Sequence, residues 1–188
     1  CIDEIETKYT TKIDDDFLVK KSSYFILVGE YDQCLDILNN ISARISDINK
    51  IMEIKFLFAK AYYRKGFTFY DKALKNADDI INHATDEIDS KLKNDSLQIL
   101  GNINYDSGNL TSSAKYYELT LTKNQLDIIN FKTFTNLVDI FSLIGNYETA
   151  YMYLLNAREI FKLNPISSLE KLLRRSEFKY YNNLNYYQ

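Results

Sequence analysis

An all-α fold, built as a solenoid of four helix hairpins, is the class this sequence predicts, on three observations. Four of its five glycines, Gly29, Gly66, Gly108 and Gly145, stand 37, 42 and 37 residues apart. After each of them apolar or small residues recur in steps of three and four, which is one face of a 3.6-residue helix drawn four times. Before Gly145, Phe131, Phe134, Val138 and Phe141 repeat that stepping, so a helix also precedes the turn. A near-constant period of this length marks a repeat array, in which each unit buries its apolar face against its neighbours.

The elements follow in order. An acidic segment, residues 1 to 16, opens the chain, and Asp14, Asp15 and Asp16 suit the N-terminal dipole of the first helix. The second helix of each hairpin is marked by Tyr31, Cys34, Leu38, Ile41 and Ile45; then by Tyr70, Ala73, Ala77, Ile80 and Ala84. Leu110, Ser113, Tyr117 and Thr120 mark the third, and Tyr147, Ala150, Leu154, Ala157 and Phe161 the fourth. The units therefore span about 15–45, 47–84, 88–123 and 125–162, within a single domain over 1–188. Each glycine ends a first helix in the left-handed conformation that only glycine adopts without strain. The small residue five further on, Cys34, Ser113 or Ala150, lets two helix backbones approach, where a leucine would overpack by about 1–3 kcal/mol. In the second unit Ala73 comes seven after Gly66, which predicts two extra residues and a looser turn. Pro165 ends the fourth unit. Ser167-Ser168-Leu169-Glu170 then reads as a capping box opening a last helix over about 168–182. Lys171, Arg174, Arg175 and Lys179 make that helix basic, as a solubilising terminal cap would be.

Bulk composition narrows the function. With 46% hydrophobic and 26% charged residues and a single proline, the chain belongs to the soluble, ordered class. A net charge of -3 gives no general attraction for phosphate backbones, so nucleic acid is not expected as a direct partner. The longest apolar run, Phe25 to Val28, is far short of a membrane span. Two cysteines, Cys1 and Cys34, supply neither a disulfide framework nor a zinc site.

Catalytic signals do not assemble either. His83 is the only histidine, so no Ser-His-Asp, Cys-His or two-histidine metal arrangement can be built, and its place near a helix end fits capping. No glycine belongs to a phosphate loop. The three consecutive aspartates lack the alternation and turn glycine of a calcium loop. The reading is no enzyme, no cofactor and no metal. Sixteen tyrosines are expected mostly to pack with their hydroxyls at the rim, a minority serving as partner anchors.

The pattern Gly145, Asn146, Tyr147, Ala150, Tyr153, Leu154 and Ala157, with Leu100-Gly101 seven residues before Gly108, resembles the tetratricopeptide repeat. Ser22, Ala59 and Val138 stand where Gly101 stands in the third unit, and the periods are long for that family, as in variants found in bacterial peptide sensors and regulators. The resemblance implies a right-handed solenoid whose first helices line a concave groove. Groove positions lie ten, six, three and two residues before the turn glycine. They map to Val19, Ser23, Ile26 and Leu27; to Phe56, Lys60, Tyr63 and Arg64; to Gln98, Asn102, Tyr105 and Asp106; and to Thr135, Asp139, Ser142 and Leu143. From these the partner-binding set is Phe56, Lys60, Tyr63, Arg64, Gln98, Asn102, Tyr105, Asp106, Thr135 and Asp139.

The function so implied is a scaffold that holds a protein or an extended peptide, with oligomeric state left open. The alternative is the sensory or regulatory region of a larger transcriptional or signalling regulator. A chain opening on Cys1 ahead of Asp3, Glu4 and Glu6 also resembles a mature bacterial lipoprotein, whose first residue carries the lipid. That implies a cell-envelope location with Cys1 as the only membrane attachment; an arbitrary cut and a cytoplasmic location are the alternative.

Overall fold

A computed structural model describes residues 14–83, 90–124 and 126–186. Cys1 lies outside them. Among the described residues there is no strand, and the helices are α1 Asp15–Val28, α2 Tyr31–Ser42, α3 Ile48–Lys65, α4 Tyr70–Asn82, α5 Ser90–Asp106, α6 Leu110–Glu118, α7 Asn130–Ile144, α8 Tyr147–Leu163 and α9 Ser167–Tyr186. The all-α expectation holds. No helix among the described residues is long and apolar enough to cross a membrane. The chain divides into two compact units, with the division between Ile99 and Leu100 inside α5.

Glycine writes three of the turns in the same way. Gly29, Gly108 and Gly145 have φ of 87°, 78° and 86°. In each the next amide reaches back five residues, from Glu30 to the Phe25 carbonyl, Asn109 to Asn104 and Asn146 to Phe141, at 2.8–2.9 Å. This is the Schellman closure, which satisfies carbonyls that a helix end leaves orphaned. Gly66 differs, with φ 107° and ψ -172°, and the chain spends the extra residues on a 3₁₀ turn, Phe67–Phe69. That is the looser turn the spacing called for.

Contact between paired helices depends on the small residues. Cys34, Ala73, Ser113 and Ala150 are all fully buried, and so are Ser22, Ala59 and Val138. In the third hairpin the approach is close. The Ser113 hydroxyl donates to the Gly101 carbonyl at 2.8 Å, and a Cβ on Gly101 would sit 3.1 Å from the Tyr117 ring. In the first unit, Val19, Ile26, Cys34, Leu38, Ile41, Ile54, Leu57 and Ala61 form one core. In the second, Phe131, Phe134, Leu137, Leu154 and Ile160 form another, closed by Leu173 and Tyr180 of α9.

Two boundaries depart from the sequence reading. Helix α6 stops at Glu118 rather than near 123. The Thr120 hydroxyl bonds back to the Tyr117 carbonyl and meets the Thr133 hydroxyl at 3.0 Å. Buried Asn130 then takes over the backbone, accepting from the Thr122 amide and donating to the Asn124 carbonyl, both at 2.9 Å. Helix α9 begins at Ser167 with the Ile166 carbonyl accepting its first bond, and Glu170 turns to Arg174 at 2.7 Å instead of closing a box on Ser167. His83 caps α4, its ring Nδ1 lying 2.7 Å from the Asp79 carbonyl.

Candidate functional site

Counting back six residues from each turn glycine gives Ser23, Lys60, Asn102 and Asp139, one on each first helix. Each directly follows the residue that packs against the second helix, Ser22, Ala59, Gly101 or Val138, and so is turned about 100° from that seam. Ser23 and Lys60 line a cleft of about 700 Å³ in the first unit. Asn102 and Asp139 line a pocket of about 200 Å³ in the second.

The first cleft is built on α1, α3 and the opening turns of α5. Phe56, Leu57 and Leu92 give it an apolar floor, and charged side chains stand around the rim. Lys50 pairs with Asp16 of α1; the ammonium holds the Asp16 carboxyl below its usual range, and Asp16 in turn raises Lys50. Asp47 is committed to capping α3, accepting from the Lys50 amide at 2.8 Å. The Lys60 ammonium lies 5.9 Å from the Phe56 ring centroid, so a cation and an aromatic face are offered together.

The second pocket is polar throughout. Tyr105 and Asp106 join Asn102 from α5, Tyr117 comes from α6, Asn136 joins Asp139 from α7, and Arg175 and Lys179 come from α9. The Tyr117 hydroxyl donates to Asn102 Oδ1 at 2.6 Å, which orients the carboxamide and leaves its nitrogen uncommitted among the described residues. Asp139, 9% exposed, accepts from the Ser176 hydroxyl at 2.9 Å and pairs with Lys179. Ser176 lies 2.9 Å from the Thr135 carbonyl as well. The pocket keeps hydrogen-bonding capacity in Asn102 and Asn136.

No protein-family model matches the chain, and no curated protein matches it. The site therefore rests on its own geometry. Of the residues expected to bind a partner, Phe56 and Lys60 share the first cleft, and Asn102, Tyr105, Asp106 and Asp139 share the second pocket. Tyr63, Arg64, Gln98 and Thr135 line neither. The Tyr63 ring stacks on Tyr70 within its own hairpin at 5.8 Å, Arg64 sits in the last turn of α3 where a cation complements the carbonyl end, and Thr135 is buried beneath Ser176. Cys1 falls outside the described residues. Val19 and Ile26, at groove positions of the first unit, point into its core.

Asn136, Arg175 and Lys179 were not among the expected residues. Asn136 is one residue off the counted register. The two cations sit on the terminal helix, whose only sequence signal was its charge. Chemically, neither cavity is lined by cysteine or histidine. Cys34 is sealed in the core, where burial pushes its thiol up to about 11 and keeps it protonated and unreactive. Among the described residues no group of three or more His, Cys, Asp or Glu side chains could hold a metal ion.

Proposed function

We propose that this chain is a non-catalytic module that holds a protein or an extended peptide on the exposed face of its first helices. The hairpins would stack as a right-handed solenoid of tetratricopeptide type, the arrangement that the glycine period and the buried small residues support. The carrying observation is that the same register position of all four hairpins lines a cavity, Ser23 with Lys60 and Asn102 with Asp139. A repeat that places a polar side chain at the same register position beside a cavity, while equivalent small residues seal its interior, is organised for recognition along that face; Asp139 alone of the four is buried. The groups offered suit a peptide: carboxamides for backbone atoms, Tyr105 for an apolar or aromatic side chain, and Lys60 beside Phe56 for a mixed one.

The test is affinity capture from the native cell with the tagged chain, comparing wild type with Asn102→Ala/Tyr105→Ala and with Glu148→Ala on the outer face of α8. A specific partner should be lost with the first variant and retained with the second. Equal recovery on all three would remove the first-helix face as the binding surface.

A further inference from the structure

Helix α9 carries a ridge that its packing does not use. Its inner seam, Leu173, Ser176 and Tyr180, is buried against α7 and α8. One flank is tied to α7 through Lys179 and Asp139, the other to α8 through Glu177, which accepts from Arg158 at 2.8 Å. Opposite the seam, at steps of four and three, stand Lys171, Arg175 and Phe178.

The charges on this helix can be settled one by one. Its two acids, Glu170 and Glu177, are paired with Arg174 and Arg158. Lys179 is matched by Asp139. Lys171 and Arg175 make no ion pair within 4 Å among the described residues, although Arg175 shares its pocket with Asp106 and Asp139, and both stand on the ridge with Phe178, which is 71% exposed. Arg175 also lines the polar pocket, so the ridge runs into the cavity where Asn102 and Asn136 wait. In a chain of net charge -3 this is a local reversal of sign, placed where a large apolar side chain is left in water.

From this we infer that the α9 ridge docks an acidic peptide segment of the partner, two of its carboxylates meeting Lys171 and Arg175 and an apolar residue covering Phe178. This rests on the binding-module reading and adds to it the chemistry of the partner. Guanidinium and carboxylate geometry favours a paired contact at Arg175, and charge complementarity governs both encounter rate and selectivity. The aromatic anchor supplies the area that exposed charges alone do not.

The experiment is fluorescence anisotropy with two labelled peptides, one alternating Glu with Phe and Leu, the other with Lys in place of each Glu. The full chain is tested as wild type, Lys171→Glu/Arg175→Glu, Phe178→Ala, and Lys115→Glu/Lys123→Glu, which changes net charge equally at sites off the ridge. The acidic peptide should bind wild type with a salt-sensitive affinity, weaken about tenfold on ridge reversal and several-fold on Phe178→Ala, and survive the Lys115/Lys123 control. Circular dichroism checks that each variant remains helical. Four results would overturn the inference: no binding of the acidic peptide, equal losses in ridge and control variants, binding only to vesicles of anionic lipid, or a dimer that Phe178→Ala converts to monomer. If the ridge variants capture the cellular partner normally while Asn102→Ala/Tyr105→Ala does not, the ridge fails and the module stands.

Discussion

Asp139 is where the terminal helix is fastened, and its removal should be felt there first. The carboxylate accepts from buried Ser176 at 2.9 Å and pairs with Lys179. Asp139→Ala deletes both contacts and leaves an ammonium, about one-third exposed by its side chain, without a counter-charge. Breaking a fully buried pair costs about 3–5 kcal/mol, and partial exposure of Lys179 brings this down to about 2 kcal/mol. Ser176 retains the Thr135 carbonyl, so no orphaned hydroxyl adds to the loss. For a chain of this length that is a fall in Tm of about 4–8 °C. Urea unfolding followed by circular dichroism measures it directly. Asp139→Asn keeps an acceptor for Ser176 and should lose about half as much, and Asp139→Leu with Lys179→Met, which removes both charges, should recover most of the stability. If Asp139→Ala costs less than about 0.5 kcal/mol, the range of an ordinary surface substitution, α9 is not held as described.

Substitutions at three further sites probe the hairpins. Ala150→Leu forces three carbons into a fully buried contact and should destabilise by about 1–3 kcal/mol, with an unchanged Tm counting against the packing of the fourth hairpin. At Gly101, where a Cβ would meet Tyr117 at 3.1 Å, alanine should be near neutral because a helix-propensity gain of about 1 kcal/mol offsets the crowding, while valine should cost about 2 kcal/mol or more in urea unfolding. Cys34 has its pKa raised by burial, so the folded state favours the thiol: its contribution is whole below about 9 and is lost as pH rises toward about 11. Stability should therefore fall over that interval in wild type and fall less in Cys34→Ser. Iodoacetamide labelling of the Cys34 peptide at neutral pH should track unfolding, and rapid labelling of the native chain would contradict the buried thiol.

What the sequence disclosed was local or periodic. Glycine spacing located the turns because a left-handed residue has few substitutes, and the two-residue excess after Gly66 appeared as a 3₁₀ turn because extra chain must go somewhere. The end of α6 was hidden, since it depends on Asn130 reaching back to Thr122 and Asn124, a contact that no helical period announces. Asp139 looked like a groove residue by position, yet its partners Ser176 and Lys179 lie in a different helix and invert its surroundings. Arg175 was dismissed as part of a soluble cap. Only when every charge on α9 except Lys171 and Arg175 had found a partner did the ridge stand out.

The central claim is that a partner lies along the first-helix face. A photoreactive amino acid placed in turn at Lys60, Asn102 and Met152, then illuminated in the native cell, interrogates it most directly. Lys60 and Asn102 should give an adduct of one discrete mass and Met152, exposed on α8, should give none. Adducts formed only from Met152, or from no position, would contradict the claim.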